Sequence, residues 1–365
     1  MSAATEPAFT HGQPPRTGVL LVNLGTPDAP TPPALRRYLA QFLSDPRVVE
    51  IPRAVWLPIL HGIILRVRPA KSAAKYASIW TPQGSPLRVW TEKQTALLQG
   101  HLGESGQQVT VRHAMRYGQP SIASQLNAMK ADGVSRVLVV PMYPQYSGAT
   151  TASVMDEVFA WGRQTRRLPE LRHINHFHDD AGYLAALESS VRAHWAANGR
   201  GGKLVMSFHG MPHRTLLLGD PYHCECQKTG RLLAARLGLG PDDYVVTFQS
   251  RFGKAKWLEP YTEPTLRALG QSGVARVDVI CPGFTADCIE TLEEIDMEGR
   301  EAFLSSGGKA FHYIPCLNDQ PAWIRALTAL VTRHLQGWPT QAADQASAGE
   351  LAAQRERARA MGCGN

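Results

Sequence analysis

Strand-length apolar runs alternate with helix-length amphipathic segments along nearly the whole chain, and nothing else in the sequence restricts the fold as much. The runs fall at 18–24, 108–116, 135–141, 171–176, 203–208, 243–249, 275–281 and 310–314. Strands separated by helical stretches pair through crossovers, not hairpins, which predicts an α/β protein built on doubly wound parallel sheets. Thr31-Pro32-Pro33 marks one helix start, with Thr31 as the expected N-cap and proline tolerated in the first turn.

A weak internal repeat points to two halves. The stretch 133–141, from Gly133 to Pro141, resembles 273–282, and an aromatic residue follows each, Tyr143 and Phe284. Similar halves leave a cleft between them, where ligands tend to bind. The expected division is an N-terminal α/β domain over 17–165 and a C-terminal one over 166–318, broken where Arg163, Arg166, Arg167 and Pro169 interrupt the apolar pattern. A helix at 319–337 is expected to pack back on the body. Residues 1–16 read as a disordered arm and 338–365 as a mobile tail.

Length and composition limit the function classes. The 365 residues suit two domains, and 44% hydrophobic with 19% charged residues suits a soluble protein. A formal net charge of +7 favours acidic ligands or an anionic surface. There is no dense Lys/Arg arm, aromatic–basic interleaving or zinc-finger spacing, so nucleic acid is not an expected partner. No segment reaches the roughly 18 uninterrupted apolar residues of a membrane span, and the first sixteen residues lack a signal core. The expected location is the cytoplasm. Six scattered cysteines predict reduced thiols.

Three segments carry candidate chemistry. Val205-Met206-Ser207-Phe208-His209-Gly210-Met211-Pro212 reads as a buried strand that stops at a histidine and turns at once. Strand carboxyl ends line the crevice of an open parallel sheet, so His209 is aimed at a ligand site, unless it is a hydrogen-bonded strand cap. In the second segment, 284–296, Asp287, Glu290 and Glu294 stand at i, i+3 and i+7 on one expected helix stripe. Carboxylates stacked from the mouth of a crevice can pass protons, although Asp287 and Glu290 also have capping-box spacing. The third, 43–65, is an apolar lip interrupted by Pro58. Over 47–75 six basic residues face one acid, Glu50. This suits a lid over an acid-bearing ligand, or contact of 51–65 with a membrane surface, or a core helix with a solvated basic end. His223-Cys224-Glu225-Cys226 hints at a metal site but lacks a second paired cluster. Dinucleotide, P-loop and G-x-S-x-G signatures are absent.

Together, Leu21-Val22-Asn23-Leu24-Gly25-Thr26-Pro27, Pro144-Gln145-Tyr146-Ser147, Ser207-Phe208-His209-Gly210-Met211-Pro212, Gly219-Asp220-Pro221-Tyr222, Phe248-Gln249-Ser250 and 284–296 resemble the ferrochelatases. The resemblance runs from about 17 to 335. It implies two similar Rossmann-like, chelatase-type domains around a porphyrin cleft. The implied activity is insertion of Fe²⁺ into protoporphyrin IX with release of two protons, a lyase reaction that ends haem synthesis. Chelation of another metal or tetrapyrrole (cobalt, coproporphyrin) and a non-catalytic haem or metal carrier stand as alternatives.

By position, the resemblance makes His209 and Glu290 the iron ligands or proton acceptors, and Glu294 and Asp287 an acidic path behind them. It puts Arg116, Tyr117, Tyr76 and Trp257 near the porphyrin, Arg68 and Ser250 near its propionates, and 43–65 at a hydrophobic lip. Two departures stand out. Cys288 occupies a position where many relatives have histidine. Where other relatives bind a [2Fe-2S] cluster through a cysteine after Pro-Gln-Tyr-Ser and three near the C-terminus, this chain has Gly148 and only Cys363. No cluster is therefore expected, and Fe²⁺ enters as substrate. A peripheral position at the inner membrane face would follow if 51–65 touches lipid.

Overall fold

The structure is a computed structural model describing residues 6–344 and 346–363. Residues 1–5 of the expected arm, and Gln345, Gly364 and Asn365 of the expected tail, lie outside the described residues.

Eight strands form two four-stranded sheets. They are β1 (Arg16–Gly25), β2 (Val109–Tyr117), β3 (Val134–Pro141), β4 (Glu170–His173), β5 (Lys203–His209), β6 (Tyr244–Gln249), β7 (Arg276–Ile280) and β8 (Ala310–Ile314). The orders are β2-β1-β3-β4 and β6-β5-β7-β8, with every pairing parallel. The same connectivity thus occurs twice, and the two repeat stretches become β3 and β7, third in each sheet. Parallel strands covered by helices on both faces need apolar residues on both sides. Accordingly Val19, Leu20, Leu21, Val22, Leu138, Val139 and Val140 are fully buried.

The halves share one core. Leu21 and Val140 of the first sheet belong to the same cluster as Met206 and Phe208 of the second. Helix Pro321–Leu335, expected at 319–337, lies against helices Ala181–Asn198 and Pro86–Glu104. It fills that seam with Trp323, Leu327 and Val331.

Several local expectations are corrected. Strand β4 pairs with β3, so the first sheet extends past the expected break at 165/166. The arginine- and proline-bearing stretch before it is a surface turn inside the first half. Thr31 has the extended backbone of an N-cap, but its hydroxyl makes no cap bond. The expected tail contains helix Ala348–Ala360, closed by a Ser347–Glu350 capping box and burying only Ala358. Its Arg355 donates to the Gly12 carbonyl of the arm at 3.0 Å. Glu6 of the same arm pairs with Lys130 at 2.6 Å.

The lip is a continuous rod. Helix Arg53–Ile59 passes through a π-turn, Leu60–Ile64, into helix Leu65–Ile79. Pro58 cannot donate a backbone hydrogen bond, and pairing widens from i+4 to i+5 directly after it instead of breaking. The rod is tied to the second half by Lys75, whose ammonium meets Glu293 at 2.9 Å and Glu298 at 2.7 Å. No helix among the described residues is long and apolar enough to cross a membrane.

Candidate active site

The site grows from the carboxyl end of β5. His209 is that strand's last residue and pairs in register with Gln249, the last of β6. The chain turns immediately, and Gly210 N–H donates to the Gln249 carbonyl at 2.7 Å. Only glycine fits at 210, because a Cβ would lie 2.5 Å from that carbonyl oxygen and 3.0 Å from the Trp257 ring.

The turn fixes the imidazole. His209 Nδ1 lies 2.6 Å from the Gly210 carbonyl oxygen. A carbonyl only accepts, so Nδ1 carries the hydrogen, and in the neutral ring Nε2 is the acceptor. From below, the Tyr222 hydroxyl donates to the His209 carbonyl at 2.9 Å.

Opposite β5 runs a π-helix, Glu290–Gly299. Such geometry is rare over ten residues and gathers at functional sites. Gln249 links it to the β5–β6 tip, its amide donating to the Glu290 carbonyl at 2.7 Å and to Glu294 Oε2 at 3.3 Å. Ser207 holds the other end of that amide at 2.8 Å. Glu290 faces an aromatic wall. Burial first, and the Glu290 charge after it, push the Tyr76 phenol and the Cys288 thiol well up, so both stay neutral.

Glu294 stands behind this pair. Its Oε1 accepts the Ser250 N–H at 2.6 Å and its Oε2 the Ser250 hydroxyl at 2.5 Å. Ser250 adopts a left-handed backbone, φ 65°, to aim both donors at one carboxylate, and such outliers cluster at functional sites. Burial raises the Glu294 pKa and the Glu290 charge adds to the rise, against the Ser250 bonds and His209. The outer side of Glu294 borders a cavity of about 330 Å³ that Glu263, Glu298 and Glu301 also line.

The structure therefore brings Glu294 within electrostatic reach of both His209 and Glu290, while Asp287 is engaged in bonds of its own. That residue precedes the π-helix, and its carboxylate is occupied. Thr291 donates at 3.0 Å, Tyr313 at 2.5 Å and Asn318 at 2.6 Å, while the Cys316 N–H lies at 3.3 Å. Asp287 anchors the entry to the π-helix.

The expected substrate residues also divide. Tyr117 has no exposed surface. Its hydroxyl and the Arg116 guanidinium both donate to Asp45 Oδ2, at 2.8 and 2.7 Å, and Ser153 adds a third bond at 2.6 Å. Burial opposes the Asp45 charge, but the bonds from Ser153, Arg47 N–H and Tyr117, with the Arg116 charge, outweigh it and hold the carboxyl below its usual range. Arg116 and Tyr117 thus belong to a network closed by Asp45 and Ser153. Asp45 and Ser153 escape sequence reading because only tertiary contact assembles them. Tyr76 packs in the same aromatic cluster with Tyr38. Trp257 is buried against Gly210 and the Phe252 ring. Arg68 is exposed, its guanidinium 5.8 Å from the centre of that Phe252 ring, so the lip reaches the second half there. Ser250 spends both donors on Glu294.

The family model described as Ferrochelatase matches residues 16–335. A ferrochelatase of Methylibium petroleiphilum is 68% identical over 99% of both chains. One from a Polaromonas species is 67% identical, again over 99% of both chains. The chain belongs to the ferrochelatase family. Among solved structures, SirB from Bacillus subtilis with Fe³⁺ superposes with a TM-score of 0.52 at 11% identity, covering 87% of this chain and 95% of its own. The cobalt complex of the sirohydrochlorin chelatase SirB from Bacillus subtilis subspecies spizizenii gives 0.51 at 10%, covering 89% and 98%. At that identity the likeness concerns the fold, a two-domain α/β chelatase architecture with a parallel sheet in each half.

Proposed function

We propose that this ferrochelatase-family enzyme inserts Fe²⁺ into protoporphyrin IX, giving protohaem and two protons. The observation that carries the site assignment is the pairing of an imidazole held by its Nδ1–H with two carboxylates on a π-helix one strand tip away. Insertion needs a hydrated cation to shed water while two pyrrole N–H bonds break. His209 Nε2 accepts a pyrrole proton or presents the metal, and Glu290 offers a carboxylate beside it. Imidazole and carboxylate hold ferrous iron without the grip of thiolates, so the metal can pass on. Glu294, with its raised pKa, takes the proton next, and the acidic cavity behind it leads outward. Anaerobic turnover of purified protein with Fe²⁺ and protoporphyrin, run beside cobalt and coproporphyrin, tests this reading. A preference for another pair would replace it.

The Ser250–Glu294 contact gives a pH prediction. Glu294 must be ionised to accept a proton, so activity falls as pH drops through its raised pKa. The acid limb of kcat/KM should lie above the ordinary 4.5 of a glutamate. Ser250→Ala removes a bond that favours the charged form, and the limb should move to higher pH. A limb that moves down, or stays, would separate Glu294 from the proton path.

The reading includes no resident [2Fe-2S] cluster, because Gly148 follows Pro-Gln-Tyr-Ser and the tail offers only Cys363. Visible absorbance of a cluster in anaerobically purified protein would overturn that. It also includes peripheral membrane contact through the lip. Ile51, Val55, Ile59, Ile63 and Val67 recur every four residues and are all exposed, Val67 to 72%. An exposed apolar row beside basic Arg53 and Arg66 suits an anionic lipid surface. The double variant Val55→Glu/Ile63→Glu should lose most co-sedimentation with anionic liposomes while keeping turnover in detergent; undiminished co-sedimentation would exclude the lip as the contact.

A further inference from the structure

The His223-Cys224-Glu225-Cys226 stretch raised a metal hint that the catalytic site does not use. The structure disperses that stretch. The His223 ring stacks on Phe248, Cys226 is buried in the core and Cys224 is exposed. Glu225 alone turns elsewhere, to a pair of histidines on the loop that leaves β4. His176 Nδ1 lies 2.7 Å from Glu225 Oε1, and His178 Nδ1 lies 3.2 Å from Oε2. One ligand atom from each of the three lies within 4.8 Å of the others.

We propose that His176, His178 and Glu225 form a second metal site, for a divalent first-row transition cation of the Zn²⁺ or Co²⁺ type, clamping the two halves of the fold. The decisive detail is His178. The residue is only 5% exposed, and its Nδ1, 3.2 Å from Glu225 Oε2, makes no well-directed hydrogen bond among the described residues. An unsatisfied buried ring nitrogen is costly. Its other nitrogen, Nε2, lies 3.9 Å from Asp179 Oδ2. With the ring hydrogen on Nε2, Nδ1 offers a lone pair, the tautomer of a metal-bound histidine. In that tautomer a cation between Nδ1 and the Glu225 carboxylate satisfies both groups.

Two imidazoles and one carboxylate with an open fourth position suit borderline-soft divalent cations. Bonds of about 2.1 Å in a tetrahedron put ligand atoms about 3.4 Å apart, so admitting the ion requires a small adjustment of the 2.7 and 3.2 Å contacts. The exposed His176 ring is free to supply it, giving up its Nδ1 hydrogen as metal binds. The Lys228 ammonium nearby is paired with Asp179 at 2.6 Å. The Glu225 carboxylate is further fixed by Tyr146 N–H, 2.7 Å from Oε2.

The location gives the clamp its meaning. The histidines and Tyr146 belong to the first half, and Glu225 to helix Tyr222–Leu237 of the second. That helix begins with Tyr222, which braces the His209 carbonyl three residues before Glu225. A cation here would hold the brace in place without touching the reacting centre.

The test needs no turnover and so stands apart from the catalytic assignment. Metal-free His209→Ala protein, its active-site imidazole removed, is titrated with Co²⁺ and followed by visible absorption. One equivalent should still bind, with bands of nitrogen–oxygen coordination. Adding His176→Ala, at an exposed position where the fold is not at stake, should weaken that binding about tenfold or more, and Glu225→Gln likewise. The melting temperature of the wild-type protein should rise with Zn²⁺, and that rise should vanish in His176→Ala. Absence of Co²⁺ binding in His209→Ala, or binding indifferent to both further substitutions, would overturn the proposal.

Discussion

His209→Ala abolishes metal insertion and leaves porphyrin binding in place: that is the largest effect the site predicts. The ring hydrogen-bonds to the Gly210 carbonyl and to no other described group, so its removal leaves the β5 tip folded. A positioned proton acceptor contributes about 10²- to 10⁴-fold. A fall of at least about 100-fold in kcat, about 2.7 kcal/mol of barrier, is therefore expected. Porphyrin affinity, read from fluorescence quenching, should stay within about twofold, since the walls come from Tyr76, Trp257 and the lip. Added imidazole should restore part of the rate, which a purely structural residue would not allow. Near-normal turnover in this variant would remove His209 from the mechanism.

Glu290→Gln should be as severe. The amide keeps the shape of the side chain, and the π-helix is held through the Glu290 main-chain carbonyl, not its carboxylate. What disappears is the charge and the capacity to accept a proton, and kcat should again fall by about 100-fold or more. Cys288→Ser, two residues earlier, serves as the contrast. Its buried thiol is neutral and packs with Leu87 and Ala286, so a serine there should cost little activity. The reverse ranking, a silent Glu290→Gln beside an inactive Cys288→Ser, would move the chemistry to the other side of the π-helix.

Much of this was legible in the residues themselves, and the misses share a cause. Parallel strands buried on both faces announce themselves as apolar runs, and 203–208 could be placed to within one residue of the observed Lys203–His209 because Gly210 ends it so abruptly. The acids of 284–296 were legible as types but not as a geometry. A regular α-helix puts Asp287, Glu290 and Glu294 on one stripe; the chain instead holds Asp287 ahead of the helix with Asn318 and Tyr313, then winds as a π-helix. Local spacing carries no information about that, because the partners lie some thirty positions away. The Asp45–Arg116–Tyr117–Ser153 network and the His176–His178–Glu225 cluster were hidden for the same reason. Terminal stretches misled in another way: low apolar content marks 338–365 as having little to bury, which holds, yet Ser347 and Glu350 suffice to start a helix there.

The repeated strand order makes the molecule pseudo-symmetric, with β1 equivalent to β5 and β2 to β6. His209 and Gln249 then have counterparts in the first half, Gly25 and Tyr117, which also pair in register. That counterpart is closed to reactivity: Gly25 has φ 110°, and a Cβ there would lie 1.8 Å from the Tyr117 carbonyl oxygen. The ancestral-looking twofold frame therefore carries a single reactive tip. One half carries the acids and the imidazole while the other serves as scaffold, and grafting a histidine onto the silent tip would unfold the strand end sooner than create a twin centre.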